Sequence, residues 1–185
     1  RDMIKKVKKI EKFKNLVKIK INNFNDYRGY FEVLHEINEY KKIGITNKFI
    51  QDSVSFSYCN VLRGLHFQLK NPFSQLVTVL EGKIVDVVVD LRKNSNCFGK
   101  YYKTLLSKNT YQQIYIPKGF AHGFLVLSKF ALLYYKADGK YIPSDEAGIV
   151  WNDKNLNIKW NLASKPIVSK KDLKNKTFLQ ICKKL

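Results

Sequence analysis

From Leu16 to Ile21 apolar and polar residues alternate one for one, the period of a half-buried strand. Asn22–Gly29 is rich in Asn, Asp and Gly and predicts a turn, after which Tyr30–Glu36 resumes as a strand. Glu39–Ile43, stopped by Gly44, is the best helix candidate of the first half. Extended segments follow at Phe49–Ser57 and Leu62–Gln68. Gln75–Leu80 and Lys83–Leu91 flank Glu81-Gly82 and predict a hairpin. Further strands are predicted at Tyr101–Leu106, Gln112–Ile116, Gly123–Leu127 and Leu132–Ala137, separated by turns such as Asn94-Ser95-Asn96 and Asp138-Gly139. Ser169–Asn175 predicts a short helix.

Many short strands with almost no helical periodicity predict an all-β sandwich or barrel. A double-sheet jelly roll is the specific expectation, since it manages sheet edges and leaves a ligand-sized mouth. No repeat, low-complexity tract or linker interrupts the pattern, so residues 3–185 are expected to form one domain. Arg1-Asp2, ahead of Met3, are read as an added remnant.

Composition adds three exclusions. Hydrophobic residues make up 45% and charged residues 26%, which is globular and not disordered. No apolar run approaches the roughly 20 residues of a membrane span, and the start lacks a signal-peptide pattern, so neither membrane nor export is expected. Cys59, Cys97 and Cys182 are far apart and odd in number, which fits a reducing cytoplasm and no disulfide framework.

The charge is the unusual feature. Lys+Arg number 34 against 15 Asp+Glu, a net +19. It is spread end to end and no nucleic-acid motif accompanies it, so no nucleic-acid partner is expected. Its field would still favour an anionic ligand.

Chemistry narrows to three histidines, His35, His66 and His122. His66 lies in Leu62-Arg63-Gly64-Leu65-His66-Phe67-Gln68. On a regular strand Arg63 and His66 would point to opposite faces, but a bulge at Gly64 could re-aim one of them. His122 lies in Pro117-Lys118-Gly119-Phe120-Ala121-His122. A single histidine in such a place is more often a core residue satisfied by backbone carbonyls. Two of them, with Arg63 and flanking glycines, point to a site.

The Pro117-x-Gly119-x-x-His122 spacing resembles the second motif of the cupin superfamily. Metal-binding cupins carry H-x-H in the first motif, where this chain has His66-Phe67-Gln68. Too few ligands remain for a catalytic metal, and none is expected. A closer resemblance lies in five ordered segments. They are Asp26–Glu32, Val61–Gln68, Gly82–Arg92, Ile116–Phe124 and Gly148–Asp153, and they are similar to the signature set of the dTDP-4-dehydrorhamnose 3,5-epimerase family.

That resemblance implies a metal-free cupin jelly roll, usually a homodimer, with no cofactor. Its substrate would be a nucleotide-diphosphate 4-keto sugar, inverted at C3 and/or C5 through an enolate, as in sugar synthesis for capsule or lipopolysaccharide. By the same resemblance His66 is the base, Asp172 the carboxylate that orients it, and Tyr135 the acid. Arg63, His122 and Gln75 would lie at the enolate or substrate. Arg28, Phe31 and Glu32 would approach the nucleotide from the partner subunit, and Gln51, Tyr141 and Lys171 would also hold it. Without the resemblance Asp172 would read as a turn residue and Tyr135 as one of 11 strand and surface tyrosines.

Two positions depart from the family pattern. Gln75 stands where a lysine is usual, and Ser53-Val54 follow Gln51-Asp52 where Asn and His are usual. The nucleobase is therefore open among dTDP, GDP and UDP, and the sugar between a hexose and a heptose. A 3,4-ketoisomerase and a non-catalytic sugar-nucleotide-binding cupin are the alternatives.

Overall fold

The computed structural model describes residues 2–185; Arg1, half of the expected remnant, lies outside the described residues. Fourteen strands and two short helices follow one another. They are β1 (Ile4–Lys9), β2 (Val17–Ile21), β3 (Asn23–Asp26), β4 (Gly29–Glu32), α1 (Ile37–Lys42), β5 (Gln51–Tyr58), β6 (Val61–Gln68) and β7 (Gln75–Glu81). Then come β8 (Lys83–Asp90), β9 (Tyr101–Ser107), β10 (Gln112–Ile116), β11 (Phe120–Val126), β12 (Phe130–Ala137), β13 (Glu146–Gly148), β14 (Ile167–Val168) and α2 (Phe178–Cys182).

Two sheets face each other. The first runs β1-β2-β10-β7-β12-β5 and the second β13-β6-β11-β8-β9, with β14 parallel to the start of β6. This is an all-β cupin-type jelly roll. Its layers follow from strand alternation. Val77, Val79, Ile114 and Leu133 of the first sheet meet Ile84, Val88, Leu106 and Phe124 of the second between the layers. The outer face of the second sheet, including Val85, Val87 and Val89, is sealed by the later segment carrying Ile149, Trp160 and Phe178. The outer face of the first sheet, with Val17, Ile19 and Leu76, is covered by Tyr40 and Ile45 around α1.

Three expectations are corrected and one strand is added. β7 and β8 do not form a hairpin: β7 pairs with β10 and β12, β8 with β9 and β11. Glu81-Gly82 is a corner where the chain crosses between sheets. The sequence signal is shared, because a corner also needs a residue free to adopt positive φ, here +85° at Gly82. Asn22–Gly29 is a strand and turn of the separate β3–β4 ribbon. β1, not predicted among the lysines, pairs with β2 as an edge strand, the usual place for lysine-rich strands. Ser169–Asn175 contains only a single 3-10 turn, Asp172–Lys174, and the helix lies later, at α2.

Among the described residues no helix is long and apolar enough to cross a membrane.

Candidate active site

β6 and β11 set the two histidines side by side, since His66 and His122 are directly opposed in an antiparallel pair. Opposed residues share a face, and here it is the face between the sheets. The register then shifts: Arg63 opposes Phe124, so three steps along β6 match two along β11. That extra residue is a bulge and brings Arg63 to the same cleft as His66. Gly64 makes it feasible. Its φ is +113°, and an added Cβ would lie 2.6 Å from Gly123 Cα.

The cleft opens at one end of the sandwich and has a volume of about 270 Å³. The second sheet contributes Arg63, His66, His122 and Phe124; the first contributes Gln51, Ser53, Gln75 and Tyr135; Tyr141 comes from the loop after β12. A smaller apolar chamber of about 140 Å³ shares His66, Phe73, Gln75 and His122 with it.

His66 Nε2 donates to Asp172 Oδ1 at 2.6 Å. In the neutral ring a donating Nε2 leaves Nδ1 as the lone-pair nitrogen, the one that can act as a base. Asp172 sits in the 3-10 turn, itself buried, and also accepts from the Gly64 N–H at 3.4 Å. Burial alone would raise the Asp172 pKa. The hydrogen bond and charge of His66, with Gly64 and Ser169, outweigh burial and hold it below its ordinary value of 3.8.

His122 forms a parallel pair, with Nε2 donating to Asp86 Oδ2 at 2.7 Å. Asp86 is fully buried, and its Oδ1 has no partner. The sequence signal for Asp86 is a carboxylate set inside the valine run of β8.

Tyr135 and Tyr134 part as strand alternation requires. Tyr134 turns outward, and its hydroxyl accepts from Lys136 Nζ at 3.2 Å. Tyr135 turns into the cleft, its ring edge-on to His122 with centroids 6.5 Å apart. Its phenol shares a 2.9 Å hydrogen bond with the Ser55 hydroxyl. Burial raises the phenol pKa well above its ordinary range, and the Ser55 bond offsets only part of that.

Arg63 is held in place by Ser57 Oγ, at 2.9 Å from Nε, and by the Phe56 carbonyl, at 3.1 Å from Nη2. Among the described residues it is the only lysine or arginine lining the cleft; Gln75 brings an amide and no charge. Glu146, missed in the sequence, stands 3.9 Å from His66 Nδ1 through Oε1. Its Oε2 accepts from the Tyr141 hydroxyl at 2.9 Å and from Lys171. Lys171 therefore lies behind Glu146 and does not line the cleft. Only the pairing of β13 with β6, Gly148 opposite His66, reveals Glu146 as a neighbour.

Arg28, Phe31 and Glu32 are not brought to this cleft. They lie on the β3–β4 ribbon, where Arg28 pairs with Asp26 at 2.6 Å and Glu32 with Lys108 at 2.7 Å. Tyr27, Tyr30 and Phe31 are 97%, 59% and 65% exposed. Among the described residues no group of three or more His, Cys, Asp or Glu side chains is arranged to hold a metal ion.

Residues 11–180 match the sequence profile of the dTDP-4-dehydrorhamnose 3,5-epimerase family. The chain belongs to that family. The dTDP-4-dehydrorhamnose 3,5-epimerase of Escherichia coli is 46% identical over 152 residues, 80% of this chain and 82% of that protein. The enzyme of the same name from Methanothermobacter thermautotrophicus is 42% identical over 153 residues, with 80% and 82% covered. The crystal structure of the Elizabethkingia anophelis enzyme superposes with a TM-score of 0.88 at 39% identity, covering 96% of this chain and 98% of that one. A Legionella pneumophila family structure in complex with dTDP-4-keto-L-rhamnose superposes with a TM-score of 0.87 at 40% identity, with 90% and 89% covered. The site just described therefore sits in an epimerase-family jelly roll.

Proposed function

We propose that this chain is an isomerase that inverts C3 and/or C5 of a nucleotide-diphosphate 4-keto sugar. The observation that carries the reading is a carboxylate-held imidazole and a phenol on the two sheets of one cleft. The C4 ketone acidifies the neighbouring C–H bonds. His66 Nδ1 takes a proton from one face, and the electron pair moves onto the C4 oxygen. Tyr135 gives a proton to the other face. Asp172 holds the resulting imidazolium. Arg63 and the Gln75 amide face the developing oxyanion, where preorganised donors contribute most, and the His122 ring, held by Asp86, lies beside them.

Supporting the substrate class, the Legionella relative holds dTDP-4-keto-L-rhamnose, and a Bacillus anthracis relative at 38% identity holds TDP. Gln51 and Tyr141, which line the cleft, are assigned to the nucleotide, and Lys171, outside the lining, to its phosphates. Arg28, Phe31 and Glu32 are assigned to the cleft of a second copy, because their ribbon stands away from their own cleft, with Arg28 and Phe31 exposed. The homodimer is part of the proposal, as are a cytoplasmic setting and the absence of a cofactor.

The test is incubation with dTDP-, GDP- and UDP-linked 4-keto sugars in deuterium oxide. Deuterium should enter C3 or C5 with inversion, and His66→Ala should abolish entry at both carbons. Binding without exchange would favour a non-catalytic module, and a shifted carbonyl in the product a ketoisomerase.

A further inference from the structure

A second cavity, of about 310 Å³, shares no lining residue with the cleft. One wall is the chain from Ser144 to Gly148, which ends in β13; the other carries Lys174, Asn175, Lys176 and Lys184. Both walls support His66. Gly148 of β13 opposes it, and the second wall begins with the last residue of the turn whose Asp172 bonds its ring. The walls are joined where the Val150 N–H donates to the Lys176 carbonyl at 2.9 Å. The cavity lies between them.

Its polar groups do not balance within the chain. Four lysines line it, Lys70, Lys174, Lys176 and Lys184, and among the described residues none of them is in an ion pair. The two carboxylates of the lining are held by other groups. Asp145 accepts from the Lys70 and Asn71 N–H groups at 2.9 and 2.8 Å, and Glu146 accepts from Tyr141 and Lys171. Lys176 and Lys184 stand so close that the hydrogen bond and charge of Lys184 hold the Lys176 ammonium below its ordinary pKa of 10.5. Ammoniums only donate, and like charges in contact repel. Asn175 adds a further open donor: among the described residues its Nδ2 is buried and has no partner. The amide rests on Gly148, where an added Cβ would stand 2.4 Å from Nδ2, so the glycine makes room for it.

We infer that this cavity binds a small anion carrying phosphate groups, which joins the Lys176 and Lys184 ammoniums to the Asn175 amide and fastens the segment after Asp172 to β13. Phosphate oxygens only accept, so one such anion meets these open donors together and separates the two lysines with negative charge. The site stands apart from the proposed chemistry and does not rest on it.

The probe is inorganic diphosphate, added to the full chain and followed by calorimetric titration, melting and amide hydrogen exchange. At ten times its dissociation constant it should raise the melting temperature by about 3–6 °C and slow exchange at Asn175 and Lys176. Lys176→Gln combined with Lys184→Gln should weaken binding by about tenfold or more. Without the anion this double variant should melt no lower than wild type, because it removes a repulsion and no contact. Full affinity in the double variant would place the anion elsewhere and overturn the site. An equal shift from sodium chloride at the same ionic strength would reduce the effect to screening and overturn it too. Binding without slowed exchange would overturn the fastening of the two walls. A chain that binds diphosphate here yet neither exchanges nor epimerises a 4-keto sugar would sink the proposed function and leave this site standing.

Discussion

The bond between His66 and Asp172 joins stability to acidity. The folded carboxyl has a pKa below its ordinary 3.8, so the unfolded chain binds its proton first as pH falls. The stabilisation is complete above that ordinary value and is lost as pH drops through the lowered folded one. Asp172→Asn should cost about 1–3 kcal/mol near pH 6. The difference from wild type should shrink below pH 4. Urea unfolding of both proteins from pH 3 to 6 measures this, and a pH-independent gap would mean the carboxylate charge is not what stabilises. Other residues were less legible. The family resemblance pointed to Asp172 and Tyr135; Asp172 bonds to His66, and Tyr135 lines the cleft. Asp86, Glu146 and Ser55 become visible only when strands are paired, because their partners are distant in sequence: His122 36 residues on, Tyr135 80 residues on, and His66 in the neighbouring strand.

At the level of elements, the β6 bulge joins arginine and histidine in one cleft. It depends on Gly64, where both the positive φ and the 2.6 Å approach of Gly123 exclude a side chain. Gly64→Ala should lower stability by about 3 kcal/mol or more and remove activity, because Arg63 and His66 lose their shared orientation. Chemical denaturation checks the first part; an unshifted midpoint would show that the strand relaxes around the new methyl. The sequence allowed for this bulge, because a glycine between two functional residues is its usual sign. The β7–β8 corner was misread. A glycine turn between two apolar runs looks the same whether the strands pair or part, and only the partners β10, β12, β9 and β11 decide it. Alternation inside each run was legible, since it reflects the faces a strand must bury, and it puts Tyr134 and Tyr135 on opposite faces without saying which one faces inward.

On the scale of the whole molecule, the exposed β3–β4 ribbon sets the strongest expectation about assembly. If its residues complete the cleft of a second copy, two crippled chains should repair each other. His66→Ala spoils the cleft and keeps the ribbon; Arg28→Ala combined with Glu32→Ala does the reverse. Mixed by co-refolding at equal amounts, they should regain about a quarter of wild-type activity, since half of randomly paired dimers are mixed and each has one intact site. No recovery in dimers shown to be mixed would place the ribbon outside the partner's cleft. The +19 net charge also belongs to this scale: it is spread over the surface, while the cleft lining has only one fixed cation. Long-range attraction can thus gather anionic ligands without crowding the enolate with charge. The overall architecture was legible because short strands and turn signals recur along the chain. The assembly was not, because an exposed ribbon has the same local pattern whether it meets solvent or another subunit.

The imidazole and its carboxylate are separated by 106 positions in the chain. A ribosome delivers His66 long before Asp172 emerges. By then nearly every strand of both sheets has already been made. A nascent polypeptide can therefore close most of its sandwich while chemically silent, and the proton-abstracting group is assembled only as translation reaches the layer that seals the second sheet.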